Sequence, residues 1–215
     1  MDIQTYEDFI KYQYVSRETF EKFLIYSGLL KEWQKKMNLV GSSTIKNCLN
    51  RHFLDSAQLH RFLNNSKGEI LDFGSGAGFP GLVLSIMGIK NINLIEAKKK
   101  KCDFMKKVIL ETGVNSKVYN TRIESLPFLN PDYIISRALT STKNLIEICY
   151  KYCNNKNKLM TKNNIDENLP NLLFLKGKNV RIELDDLAKR YKINFKLIES
   201  ITDRDSKILY FKSKS

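Results

Sequence analysis

Three glycines, Gly74, Gly76 and Gly78, separate an apolar run ending in Leu71-Asp72-Phe73 from a second run that begins at Leu82, with Pro80 and Gly81 just ahead of it. A turn so poor in side chains lets a ligand reach the backbone. Glycine takes positive φ and leaves its amide uncovered, and Pro80 carries the φ suited to the first turn of a helix. Further on, Ile92-Asn93-Leu94-Ile95 runs into Glu96. An acid at the end of the second strand of a strand–helix–strand unit is placed to accept both hydroxyls of a ribose. These residues point to a site for a nucleoside-containing cofactor.

Two cofactor classes suit that geometry. Gly76-x-Gly78-x-x-Gly81, with Glu96 about twenty residues on, formally matches the dinucleotide fingerprint. In that fingerprint the first glycine follows the strand directly, whereas here Asp72-Phe73-Gly74 intervenes. The order Asp72-x-Gly74-x-Gly76-x-Gly78 instead resembles motif I of class I S-adenosylmethionine-dependent methyltransferases, in which the glycines pass under the amino acid half of the cofactor.

The elements that must position these residues follow from periodicity. Residues 1–66 read as a helical extension, with Phe20, Phe23, Leu24, Leu30 and Trp33 at roughly helical spacing and a turn around Asn38-Leu39-Val40-Gly41. From residue 67 to 215 strands alternate with helices. Strands are expected at 69–73, 91–95, 117–120, 132–136, 171–175, 194–200 and 207–212. The alternation implies an α/β fold with a mostly parallel seven-stranded sheet, Rossmann-like and covered on both faces. The last two strands are too close for a helical crossover, so Thr202-Asp203-Arg204-Asp205-Ser206 is read as the turn of an antiparallel terminal hairpin.

A chain of 215 residues with 42% hydrophobic content can bury a substantial core. Its start lacks the pattern of a signal peptide and no apolar run is long enough to span a bilayer, so a cytoplasmic protein with no membrane partner is expected. The formal charge of +13 suggests a polyanionic partner, nucleic acid first. The run Lys98-Lys99-Lys100-Lys101 reads as a solvated helix face. Cys48, Cys102, Cys149 and Cys153 form no C-x-x-C pair, and with only His52 and His60 beside them they make no credible metal set. Arg51 and Asp55, one helical turn apart, are expected to pair with each other, with His52 satisfied against the sheet domain.

Taken in order, Trp33, Asn38-Leu39, Arg51-His52-Phe53-Leu54-Asp55-Ser56, the glycine turn through Phe79-Pro80-Gly81, Ile135-Ser136-Arg137-Ala138 and Leu175-Lys176-Gly177 resemble one family closely from about residue 20 to the C-terminus. That family is RsmG, also called GidB: bacterial methyltransferases acting on guanine N7 in small-subunit (16S) ribosomal RNA. The resemblance implies a class I S-adenosylmethionine-dependent methyltransferase with an N-terminal helical extension, working as a monomer on ribosomal RNA or a ribosomal particle. It places Gly74, Gly76, Gly78 and Phe79 against the cofactor, Glu96 on the ribose, Ile123 and Glu124 beside the adenine, and Arg137 near the reacting end. For that reaction Arg137, Arg122 and Lys176 are expected to hold phosphate or the guanine O6 face, and Asn38 to orient the base. A methyltransferase fold that binds RNA without catalysis, or one that methylates a protein or small molecule, is the competing expectation. Two departures stand out: the polar stretch 154–164, expected to be a mobile loop, and the basic residue before the last strand, for which Arg204 and Lys207 are both candidates.

Overall fold

The computed structural model describes residues 3–154, 160–161 and 163–213. Most of the polar stretch anticipated as a loop, 155–159 and 162, therefore lies outside the described residues. Strands β1 (Glu69–Phe73), β2 (Ile92–Glu96), β3 (Lys117–Asn120), β4 (Pro131–Arg137), β5 (Asn171–Lys176), β6 (Lys196–Glu199) and β7 (Lys207–Phe211) form one sheet in the order β3-β2-β1-β4-β5-β7-β6. The pairings from β3 to β5 are parallel and β7 runs antiparallel to both β5 and β6. Strand order reverses at β1, so the loops at the carboxyl ends of β1, β2 and β4 flank a crevice where such sheets bind ligands.

Alternation along β1 divides its side chains between two cores. Ile70 joins the face covered by α2 (Arg17–Gln34), α5 (Gly81–Ile86) and α6 (Lys99–Thr112). Leu71 and Phe73 join the opposite face, under α7 (Thr142–Cys153) and α8 (Val180–Arg190). This is the period-two consequence of a strand buried on both sides.

The chain before β1 begins with α1 (Tyr6–Ile10), closed by a Thr5–Asp8 capping box, and α2, capped by the Ser16 hydroxyl. Phe20, Phe23, Tyr26 and Leu30 are buried on one face of α2 and join the same core as Phe53, Phe79 and Phe104. Leu24, expected on that face, is instead 47% exposed. Tyr26, three residues after Phe23, occupies the inward position. The R-H-F-L-D-S segment also departs from the expected α-helix: Leu49–Leu54 is a π-helical turn that runs into α3 (Asp55–Ala57), followed by α4 (His60–Leu63). No helix among the described residues is long and apolar enough to cross a membrane.

Candidate active site

The turn after β1 is held from beneath. Asp72 Oδ2 accepts the Gly81 amide at 3.0 Å, the Ser75 hydroxyl donates to the Asp72 carbonyl at 2.8 Å, and the Ser75 amide donates across to Ile95 of β2 at 3.0 Å. Gly74, Gly76 and Gly78 all take positive φ, at 69°, 60° and 93°. At Gly76 an added Cβ would meet only ordinary contacts, 3.8 Å from the Gly74 carbonyl oxygen and 3.9 Å from Lys101 Nζ, on the wall of a cleft of about 800 Å³. At Gly78 it would strike Leu82 and lie 2.7 Å from the Tyr26 hydroxyl, so that glycine serves packing between the turn and α2.

Glu96 stands at the end of β2, across from the turn. Its Oε2 accepts the Gly76 amide at 3.1 Å and its Oε1 the Lys98 amide at 2.8 Å, which fixes the carboxylate at the cleft wall. Two oxygens with about four acceptor sites leave room for a ribose diol. Ile123 and Glu124 lie in the short 3-10 turn Ile123–Ser125 and line the same cleft, as does the exposed Arg122. The run from Lys98 is not uniform: Lys98 and Lys101 line the cleft, while Lys99 is 79% exposed and pairs with Asp103. Asn38 is exposed beside Leu39, Val40 and Gly41, which form part of the wall.

Arg137 ends β4 as the centre of a polar cluster. Its guanidinium donates to His52 Nδ1 at 2.6 Å, to the Arg51 carbonyl at 3.0 Å and to Asp55 at 3.4 Å, and it lies 5.1 Å over the Phe79 ring. An arginine can only donate, so His52 Nδ1 is the acceptor and Nε2 carries the proton. That proton goes to Thr44 Oγ1 at 2.8 Å, and the Thr44 hydroxyl donates to the Gly41 carbonyl at 2.6 Å. Burial first, then the charges of Arg137 and Arg51, push His52 down to about 3, so it is neutral at physiological pH. Burial raises Asp55, with the charge of Arg137 and the Thr202 hydroxyl opposing. The expected Arg51–Asp55 pair is not formed: Arg51 reaches Asp203 at 2.9 Å, and Asp55 takes Arg137, Thr202 and Gln58. A π-helical turn changes which residues share a face, so positions four apart no longer align as on an α-helix.

Lys176 is buried rather than presented, donating to the Thr140 carbonyl at 2.8 Å and pairing with Glu183 at 2.6 Å. Of the two basic residues considered for the position before the last strand, Lys207 opens β7 and is tied to Glu199 at 2.7 Å, and Arg204 lies ahead of it and is exposed. Cys149 is buried and Cys153 partly so, and burial pushes the Cys153 thiol up to about 12.

Tyr26 escapes a reading of the sequence. Its hydroxyl donates to the Ala77 carbonyl within the glycine turn, and its ring stacks on Phe79 with centroids 5.1 Å apart and planes 8° apart. The available signal was only its position on the apolar face of α2, which does not single out a tyrosine from the neighbouring phenylalanines.

The sheet order, the glycine turn under an open cleft and the acid at the end of β2 define a class I S-adenosylmethionine-dependent methyltransferase. Solved structures share the fold: magnesium protoporphyrin IX methyltransferase from Synechocystis is 14% identical, covering 93% of this chain and 99% of its own, with a TM-score of 0.56. An S-adenosyl-L-methionine-dependent methyltransferase structure from Methanococcus maripaludis is 10% identical over 94% of this chain and 97% of its own, with a TM-score of 0.53. The family described as rRNA small subunit methyltransferase G matches residues 19–207. Ribosomal RNA small subunit methyltransferase G of Orientia tsutsugamushi (strain Ikeda) is 37% identical over 98% of this chain and 99% of its own. The protein of that name from Paramagnetospirillum magneticum is 35% identical over 94% and 92%. The chain belongs to this GidB family, and it is an S-adenosylmethionine-dependent ribosomal RNA methyltransferase.

Proposed function

We propose that the methyl group goes to N7 of a guanine in small-subunit ribosomal RNA. The observation that carries this reading is the state of the groups around Arg137. His52 is neutral but spends its Nδ1 lone pair on Arg137 and its Nε2 proton on Thr44. It is not available as a general base, so an acceptor atom that brings its own in-plane lone pair suits the site. Guanine N7 is such an atom.

S-adenosylmethionine, when bound, supplies an electrophilic methyl group on a sulfonium. Gly74, Gly76 and Phe79 would hold its amino acid half, with Gly78, expected there too, instead packing the turn against α2; Glu96 would hold its ribose, and Ile123 and Glu124 its adenine. Arg137, fixed by three partners, orients the reacting end, and catalysis rests on alignment in a site shielded from water. Arg122 and Asn38 are assigned to RNA from their exposure at the cleft. In the same reading, residues 1–66 are a helical extension on a methyltransferase domain of 67–215, and the protein acts as a cytoplasmic monomer on free RNA or a ribosomal particle.

Borohydride and aniline treatment breaks RNA at 7-methylguanine. Small-subunit RNA from cells with this protein should break at one site that stays intact in RNA from cells without it. Methyl recovered at N1, N2 or a ribose oxygen would overturn the assignment.

A further inference from the structure

A second cavity, of about 210 Å³, adjoins the cofactor cleft on the β4–β5 side and shares His52, Arg137 and Ala138 with it. Its volume is below the roughly 300–1,000 Å³ of pockets that enclose whole drug-sized ligands. A single ring system is the natural occupant. Enzymes that modify a base inside folded nucleic acid turn it out of the stack into such a pocket.

We propose that this cavity receives the acceptor guanine, with N7 reaching the methyl group directly at the boundary where the cavity and the cofactor cleft share His52, Arg137 and Ala138. The inference rests on the guanine reading above and adds the place where the base sits. Two independent observations carry it. Ala138 takes φ 51°, a left-handed conformation that non-glycine residues rarely adopt, at the boundary between the cavities. Strain of that kind is retained where a site needs it. The lining also holds Arg51, Arg137, Lys176 and Lys207 against a single carboxylate, Asp55. The partners that tether three of these cations, Asp203, Glu183 and Glu199, do not line the cavity.

A pocket rich in donors distinguishes guanine from adenine. Guanine presents an oxygen acceptor at position 6 and adenine an amino donor there. Arg51, 45% exposed, also suits a phosphate flanking an extruded nucleotide. In the transfer itself, the N7 lone pair forms the new N–C bond while the C–S bond breaks and its electron pair stays on sulfur. The positive charge moves from sulfonium to the guanine ring, and no proton is exchanged.

Gly177 allows a direct test, because an added Cβ there meets nothing within 4 Å and its φ is not in the left-handed region. Gly177→Leu and, from another wall, Ser206→Leu fill the cavity without touching the cofactor cleft. Three measurements apply to each variant: calorimetric affinity for S-adenosylhomocysteine, single-turnover methylation of the RNA loop located by chain cleavage, and fluorescence of a 2-aminopurine placed next to the target guanine. Both variants should bind cofactor as the wild type does, methylate at least 100-fold more slowly, and lose the brightening that reports departure of the neighbouring base from the stack. Wild-type methylation with both variants equally active overturns the pocket alone. A wild type that transfers no methyl to guanine overturns the reaction, and the pocket with it.

Discussion

Asp72 lies fully out of solvent beneath the glycine turn, with Oδ2 on the Gly81 amide and Oδ1 without a hydrogen-bond partner among the described residues. Burial pushes its carboxyl from 3.8 up to about 7. A raised carboxyl binds its proton more tightly in the folded chain, so its contribution is intact below about pH 4 and is lost as pH rises to about 7. His52 works in the opposite sense: depressed from 6.5 to about 3, it makes stability rise with pH across that interval. The two slopes oppose each other in mildly acidic buffer. Asp72→Asn removes one of them, so its stability relative to wild type should improve by up to ~4 kcal/mol between pH 4 and 8. Urea unfolding at both pH values measures this, and parallel curves would mean that Asp72 is ionised in the fold. For Glu96, losing charge-assisted hydrogen bonds worth about 1.5–3 kcal/mol each makes Glu96→Ala at least ~10-fold weaker for S-adenosylhomocysteine by calorimetry. Unchanged affinity would remove Glu96 from the site. Glu96 was legible because an acid ending an apolar strand has few structural uses. The surroundings of Arg137 were not, since its partners lie 82 to 86 residues away and become neighbours only through the fold.

Helix α2 does more than cover the sheet, because Tyr26 reaches from it into the cofactor turn. Tyr26→Phe keeps the ring on Phe79 but leaves the buried Ala77 carbonyl without its donor, a cost of about 1–3 kcal/mol. Tyr26→Ala also removes the ring and costs about 3–5 kcal/mol. Cofactor affinity should fall in the same order, since the turn loses first a hydrogen bond and then its stacking support. Thermal unfolding and calorimetry check both. A Phe variant identical to wild type in each would show that the extension merely covers the domain. Strands were legible to within a residue or two at their ends, because most of the buried runs are bounded by glycine, asparagine or proline. The largest difference is at β6, Lys196–Glu199 against the expected 194–200, at the sheet edge where no second core fixes its ends. Residues 49–57 misled for another reason. A period of 3.6 describes an α-helix, and nothing in the pattern marks where a π-helical turn widens it.

Across the whole molecule, the charge of +13 gives attraction for RNA without saying which cations touch it. Position separates them. Lys99, 79% exposed on α6 and paired with Asp103, is spent on its own helix; Arg122 is exposed after β3 on the wall of the cofactor cleft. Counterion release makes the slope of log affinity against log salt a count of phosphates neutralised, with each contact worth about one. Arg122→Gln should therefore flatten that slope by about one for the target RNA. Its affinity for S-adenosylhomocysteine should stay within a few-fold, because Ile123 and Glu124, the proposed adenine contacts, are unchanged. Lys99→Gln should leave both quantities where they are, its helix pair being worth only about 0.3–0.5 kcal/mol. Filter binding at four salt concentrations resolves a change of one unit. Equal flattening by both substitutions would mean that RNA lies across α6 as well as the cleft, which would extend the substrate surface well beyond the mouth of the active site.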